Sequence, residues 1–145
     1  EAQARGKGND GVSCGAALEL KDGTIVTGKN SPLMHAASAL VLNAAKKLAG
    51  VPEGLHLLSP GIIASVADLK ERVMGAKTIS LDLSEVLICL SINAASNPTA
   101  HLALEKTAPD RYLLDAHLLR YAHEVELALP AASRVETRAY VVPLA

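Results

Sequence analysis

Hydrophobic and polar positions along the chain fall into short blocks with different periods. Val12 to Leu20 is a compact apolar run, Asp22-Gly23 is a tight-turn pair, and Thr24 to Gly28 returns as a second strand. Together they predict a β-hairpin. "KNSP" breaks that pattern. Beyond it, Ser31 reads as a helix cap and Pro32 as the first helical residue. A nearly unbroken apolar run then continues to Leu48. Lys46 and Lys47 fall in the last turn, where they complement the helix dipole, and Gly50 ends it. Leu55 to Leu58 predicts a short buried strand. Ser59 and Pro60 repeat the start signal and open a helix to about Met74, with Ile63, Val66, Ala67 and Lys70 in helical spacing.

The second half reads as helical. Ser84 to Ala95 is one helix, ended near Asn97-Pro98, and Thr99 to Lys106 is a shorter one. Asp110 to Leu129 is a third, with Leu114, Leu118, Tyr121, Val125 and Ala128 along one stripe. Val135 to Val142 alternates well enough to be a last strand. The expected fold is therefore α/β, a small mixed sheet with flanking helices. It forms a single module over 1–145, the size of one ordinary domain. Residues 1–11 are a flexible leader, 12–74 a hairpin–helix–strand–helix core, and 75–145 a helical extension that ends in a strand.

Composition narrows the function classes. Half of the residues are hydrophobic but only 2% are aromatic, so the core is built of Ala, Leu, Val and Ile. The formal charge is -1, with 14 basic and 15 acidic residues interspersed. No basic block supplies the footprint of a nucleic-acid binder. No apolar run reaches the ~18 residues of a membrane span. The polar start, "EAQARGKGND", has no secretory hydrophobic region. Cys14 and Cys89 lie in apolar runs, as reduced cysteines do in a reducing cytoplasm. The chain also lacks an initiator methionine, which reads as a piece of a longer protein.

Two short motifs fail on context. Gly6, Gly8 and Gly11 fit G-x-G-x-x-G, but that loop must follow a strand and open a helix, and here it precedes a strand. Gly11, Ser13 and Gly15 fit G-x-S-x-G, but a nucleophile elbow needs a helix after the serine, and here a strand follows. His101 and Glu105 share a helical face, as do His117 and Tyr121. Two ligands do not make a zinc site, which takes three or four. No metal and no cofactor is expected.

The predicted order of elements resembles the core of the cytidine-deaminase-like fold. That family carries H-x-E at the first helix start and P-C-x-x-C at the second; His and two Cys hold zinc and the Glu shuttles protons. Here the first landmark is His35-Ala36-Ala37, and the second is Pro60 with Gly61 and Ala64 where both cysteines would stand. One imidazole cannot retain zinc, and without zinc nothing activates the attacking water. Deaminase chemistry is excluded while the fold stays as an expectation.

If the strands ending at Gly28 and Leu58 are parallel neighbours, both helix starts open on one sheet edge, where unpaired N–H groups and dipoles favour an anion. The candidate ligand-binding residues are Lys29, Asn30, Ser31 and His35 at the first start, and Ser59, Gly61 and Ile62 at the second. Lys29 would supply counter-charge, Gly61 close backbone approach, and His35 a neutral imidazole. The alternative is that His35 only satisfies a loop carbonyl and the edge binds water.

A longer resemblance runs from "GVSCGAALELKDGTIVTGKNSPLMHAASALVLNAAKKLAG" through "HLLSPGIIASVADLK" and "LSINAASNPTAHLALEK". On these stretches the chain, from about Gly8 to Lys106, is similar to the C-terminal module of an uncharacterised bacterial protein family of unknown function. The resemblance implies a much longer, multi-domain, cytoplasmic protein, with a glycine-rich, phosphate-loop-like run upstream of this segment. The stretch from Thr107 onward does not look like the family's ending. Two functions remain open. One is a module that binds a phosphate- or carboxylate-bearing small molecule, working with upstream domains. The other is a structural or oligomerisation module whose apolar, aromatic-poor helices pack on sister domains or on a second copy in a homo-oligomer.

Overall fold

The computed structural model describes residues 9, 13–20, 22–107 and, as backbone, 141–143, leaving aside the side chains of Glu19 and Thr107. Gly15–Glu19 (β1) and Ile25–Lys29 (β2) form the expected hairpin, antiparallel with Ala17 opposite Thr27. Its turn is held by the Leu20 N–H on the Thr24 carbonyl and the Thr24 N–H on Asp22 Oδ1, at 2.8 and 2.9 Å. Gly23 takes φ +83°, the left-handed conformation that the tight turn requires. Val141–Pro143 (β3) pairs parallel with β1 on its other side, so the sheet is mixed, in the order β2-β1-β3. Of the expected strand over Val135 to Val142, only Val141 and Val142 fall within the described residues, and the expected helix Asp110 to Leu129 lies outside them.

The long helix Ala36–Ala49 (α1) is apolar on nearly every side, and its position accounts for that pattern. One flank packs on the sheet in a cluster with Cys14, Leu18, Val26, Leu40 and Ala44. The other flank joins a larger cluster with Leu57, Leu58, Leu81, Val86, Leu90 and Ala103. Gly50, at φ +66°, ends the helix and donates back to the Lys46 and Lys47 carbonyls.

Two boundary expectations are corrected. The helix does not begin at Ser31-Pro32. Met34 and His35 are extended instead, because the backbone groups on either side of Met34 are taken by Leu81: the Leu81 N–H donates to Leu33 O at 2.9 Å and the His35 N–H donates to Leu81 O at 3.0 Å. Met34 and Leu81 thereby form a parallel bridge, and His35 becomes the N-cap residue of α1. Second, Leu55 to Leu58 is not a strand. A turn from Pro52 to Leu55 leads into bends; Leu57 and Leu58 are buried, while Leu55 and His56 are exposed. Parallel pairing beside the start of α1 is made by Leu81, and the Leu57 carbonyl is held by Asn93 Nδ2 at 2.7 Å. The segment 12–74 therefore runs hairpin, helix, loop, helix.

Pro60–Asp68 (α2) starts as expected, with Ser59 as its cap, and continues into a π-helical turn, Leu69–Val73. Leu83–Ala94 (α3) begins with a capping box between Asp82 and Glu85. Pro98–Thr107 (α4) begins after Asn97, whose Oδ1 accepts from the Thr99 and Ala100 N–H groups. Ala100 and Ala103 are fully buried, which lets α4 lie close against α1 and α3.

Candidate functional site

The candidate residues lie in two separate stretches. Lys29 ends β2. Asn30 is 4% exposed, and its Oδ1 accepts the Cys14 N–H at 2.8 Å while its own N–H donates to the Cys14 carbonyl. That double link closes the open end of the hairpin, so Asn30 has a structural task there. Ser31 does not cap α1: its Oγ accepts the Leu33 N–H at 3.2 Å within a local turn. His35 caps α1 by position, with extended backbone and no side-chain bond to the helix.

The first turn of α1 is closed to solvent. Ala36, Ala37 and Ser38 are 3%, 1% and 0% exposed. Ser38 Oγ donates to the Leu81 carbonyl at 3.1 Å, beside the His35 N–H on the same oxygen. A protein carbonyl thus already occupies the positive end of this helix, where a ligand anion would otherwise be favoured.

The start of α2 is open. Ser59, Pro60 and Gly61 are exposed, and Ser59 Oγ accepts the Ile62 N–H at 3.3 Å. A Cβ built on Gly61 would approach only Ser59 Oγ, at 3.8 Å, so the fold does not itself require a glycine there. Ile62 is half-buried. It and Met34 border the same apolar cluster, which relates the two stretches through the core.

A polar network that the hydrophobic pattern did not disclose lies around Lys70. This residue is 8% exposed in the π-helical turn, and its Nζ donates to the Ser80 carbonyl at 2.7 Å and to Glu85 Oε2 at 2.9 Å. Glu85 Oε2 also accepts the Asp82 N–H, and Asp82 Oδ1 accepts the Glu85 N–H, at 2.9 and 2.8 Å. The ammonium is thus held by two acceptors, which suits a staple between the π turn and α3. The sequence signal was D-x-x-E at Asp82 and Glu85 before an apolar run.

Among the described residues no group of three or more His, Cys, Asp or Glu is placed to hold a metal ion. His101 and Glu105 form an exposed pair at 3.3 Å. Also among the described residues, no helix is long and apolar enough to cross a membrane.

The surface of α3 is unusual. Glu85 is its one charged residue and turns to Lys70. Ser84, Ile88, Ser91 and Ile92 are exposed at spacings of three, four and seven to eight residues, which places them on one outward face. Ile88 is 60% exposed and Ile92 71%.

The family model described as "Domain of unknown function DUF1846, C-terminal" matches residues 1–118, further in both directions than the Gly8 to Lys106 resemblance. A UPF0371 protein of Clostridioides difficile (strain 630) is 50% identical over 92 residues, which cover 63% of this chain and 18% of that protein. A UPF0371 protein of Clostridium botulinum (strain Langeland / NCTC 10281 / Type F) is 44% identical over 106 residues, 72% of this chain and 21% of the relative. One from Clostridium tetani (strain Massachusetts / E88) is 47% identical over 90 residues, 62% and 18% of the respective lengths. The chain spans about a fifth of the length of these curated relatives.

Proposed function

Because this chain belongs to the family described as "Domain of unknown function DUF1846, C-terminal", a C-terminal unit by that description, we propose that it is a structural docking module of a larger bacterial protein. The outer face of α3 is the docking surface. The observation that carries this reading is the uncharged face of Ser84, Ile88, Ser91 and Ile92, with both isoleucines more than half exposed. A helix that is apolar on its outer as well as its inner side is normally covered on both. The two buried thiols, Cys14 and Cys89, fit a protein of the reducing cytoplasm. The test is the double substitution Ile88→Lys, Ile92→Lys in the full-length protein. A covered face loses about 2 kcal/mol or more and the melting temperature falls. A face in water changes by less than about 0.5 kcal/mol, and that result ends the reading.

A second reading is an anion site at the helix starts, for a phosphate- or carboxylate-bearing small molecule. The exposed, Ser59-capped start of α2 favours it. Ser59 and Gly61 would present N–H groups beside Ile62, whose own N–H is held by Ser59, with Lys29, Asn30, Ser31 and His35 as the second wall. The closed first turn of α1 weighs against the paired form of this site. Titration with inorganic phosphate, followed at the Gly61 and Ile62 amide resonances, decides it: saturable shifts that weaken in His35→Ala support the pair, and unmoved resonances exclude it.

A further inference from the structure

We infer that residues 59–76, α2 with its π-helical turn, form an arm that opens from the rest of the fold as one unit, and that Lys70 is the latch that keeps it closed.

Burial separates this segment from its neighbours. Leu57 and Leu58 before it, and Ser80 and Leu81 after it, are at most 3% exposed. Between 59 and 76 Lys70 alone is buried, and α2 has no buried residue. A helix docked permanently on a core buries several apolar side chains along one stripe. The stripe of α2 brings Ile62, Ile63 and Val66 only half-buried against the larger cluster. The next position in helical spacing is Lys70. The stripe thus ends on an ammonium, where a further apolar side chain would complete the contact. Leu69, Val73 and Met74 are exposed.

Hydrogen bonds divide along the same line. Within the arm Ser59 caps α2, Ser65 Oγ donates to the Gly61 carbonyl, and Arg72 pairs with Asp68. The Ala76 N–H closes on the Lys70 carbonyl at 2.8 Å, around Gly75 at φ +63°. Among the described residues, the hydrogen bonds that leave the arm are the two from Lys70 Nζ, to the Ser80 carbonyl and to Glu85. The arm therefore keeps its own backbone bonded when it swings out.

The chemistry of the latch suits release. A buried ion pair holds no better than an apolar contact of the same volume, but on opening both charges return to water. An apolar side chain in the place of Lys70 would instead be driven back by its exposure. Segments with few buried apolar contacts open at a free energy well below that of global unfolding. Opening withdraws Lys70 from Glu85 at the start of α3. It also bares the flank of the larger cluster that Ile62, Ile63 and Val66 cover.

The test is hydrogen exchange of the full-length protein at low urea, followed by mass spectrometry. Amides 63–74 are expected to exchange together, with one weak urea dependence, and faster than amides 40–49 of α1. Lys70→Met keeps the aliphatic stem and should raise exchange in the arm about fivefold. Glu85→Gln keeps an acceptor for the capping box but not the charge. It should move the arm in the same direction, and it serves if Lys70→Met does not fold. Asn43→Ala removes a bond between α1 and β2 that stays intact when the arm opens, so it should leave exchange in the arm unchanged. Arm amides that exchange with α1, that slow gradually from one end, or that speed up with Asn43→Ala overturn the separate unit. Exchange in the arm unmoved by Lys70→Met and by Glu85→Gln overturns the latch.

Discussion

Gly28 of β2 and Leu40 of α1 meet backbone to backbone. A Cβ built at Gly28 would lie 2.6 Å from Leu40 Cα, and closer still to the Leu40 amide nitrogen and the Ala36 carbonyl. Real Cβ contacts do not occur at such distances, and neither neighbour is a side chain that can swing away. The glycine sets how deeply α1 sits on the sheet, and the cluster of Cys14, Leu18 and Leu40 follows from it. Gly28→Ala is expected to cost at least about 3 kcal/mol, the upper end for overpacking, because backbone must shift. Gly54 has nothing within 4 Å of its would-be Cβ, so Gly54→Ala is expected to change stability by less than about 1 kcal/mol. Urea denaturation of the two variants tests the difference; equal midpoints would remove the close approach.

Lys70 and Glu85 make an asymmetric pair. The lysine side chain is 10% exposed and the glutamate 27%. Removing Glu85 leaves a nearly buried ammonium on the Ser80 carbonyl alone and opens the capping box of α3. Removing Lys70 leaves a carboxylate that still meets water and the Asp82 N–H. Glu85→Ala should cost about 2–3 kcal/mol, a buried-pair loss discounted for the exposed side, and Lys70→Met about 1 kcal/mol. Chemical denaturation of both variants and the double variant measures the coupling. Equal single costs would show that the pair is solvated and no staple.

Local signals in the sequence marked the hairpin, the end of α1 at Gly50, the Ser59 cap of α2 and the approximate bounds of α3 and α4. Each depends on residues next to one another in the chain. The misplaced start of α1 depends on Leu81. Nothing within residues 31–35 says that a residue more than forty positions later will take the backbone groups of Leu33 and His35 and hold this stretch extended. That long-range pairing overrode a good Ser-Pro start signal, since the signal costs nothing to leave unused when Ser31 can accept from Leu33 locally. The place assigned to Leu55–Leu58, beside β2, holds no strand among the described residues, where β2 pairs with β1 alone. The candidate anion site inherited both expectations, because the convergence of its two halves was argued from a strand that the fold does not form. The outer face of α3 was legible only as general apolarity, since periodicity fails where both sides of a helix are apolar.

Among the described residues β2 pairs with β1 alone, and Asn43 holds its other edge. In the hairpin register Val26 and Gly28 pair with β1, so Ile25, Thr27 and Lys29 point their backbone groups outward. Asn43 Nδ2, from α1, donates to the outward Thr27 carbonyl at 2.8 Å. A sheet edge with an occupied carbonyl is a poor template for another strand. Asn43→Ala should cost about 0.5–1.5 kcal/mol, the net worth of one hydrogen bond. It should also speed light-scattering growth during partial denaturation. If stability falls while aggregation is unaltered, the bond serves only to dock α1 on β2.

Cys89 gives the protein a pH dependence whose sign can be worked out. Burial, and secondarily the Glu85 charge, push its thiol above the ordinary value of 9.0. In the unfolded chain the thiol loses its proton first. Between the ordinary value and the raised folded value, the folded state binds more protons than the unfolded one, so stability falls as pH rises through that window. Below about pH 9 the contribution is fully present. Urea midpoints measured from about pH 7 to about pH 10 should therefore decline more steeply in the native protein than in Cys89→Ala. The substitution lowers the variant's curve through lost packing, but only the difference in slope reports the thiol, since every other titrating group is common to the two proteins. Parallel curves would mean that Cys89 titrates as it does in the unfolded chain, and that the contact between α3 and the core admits water at that position.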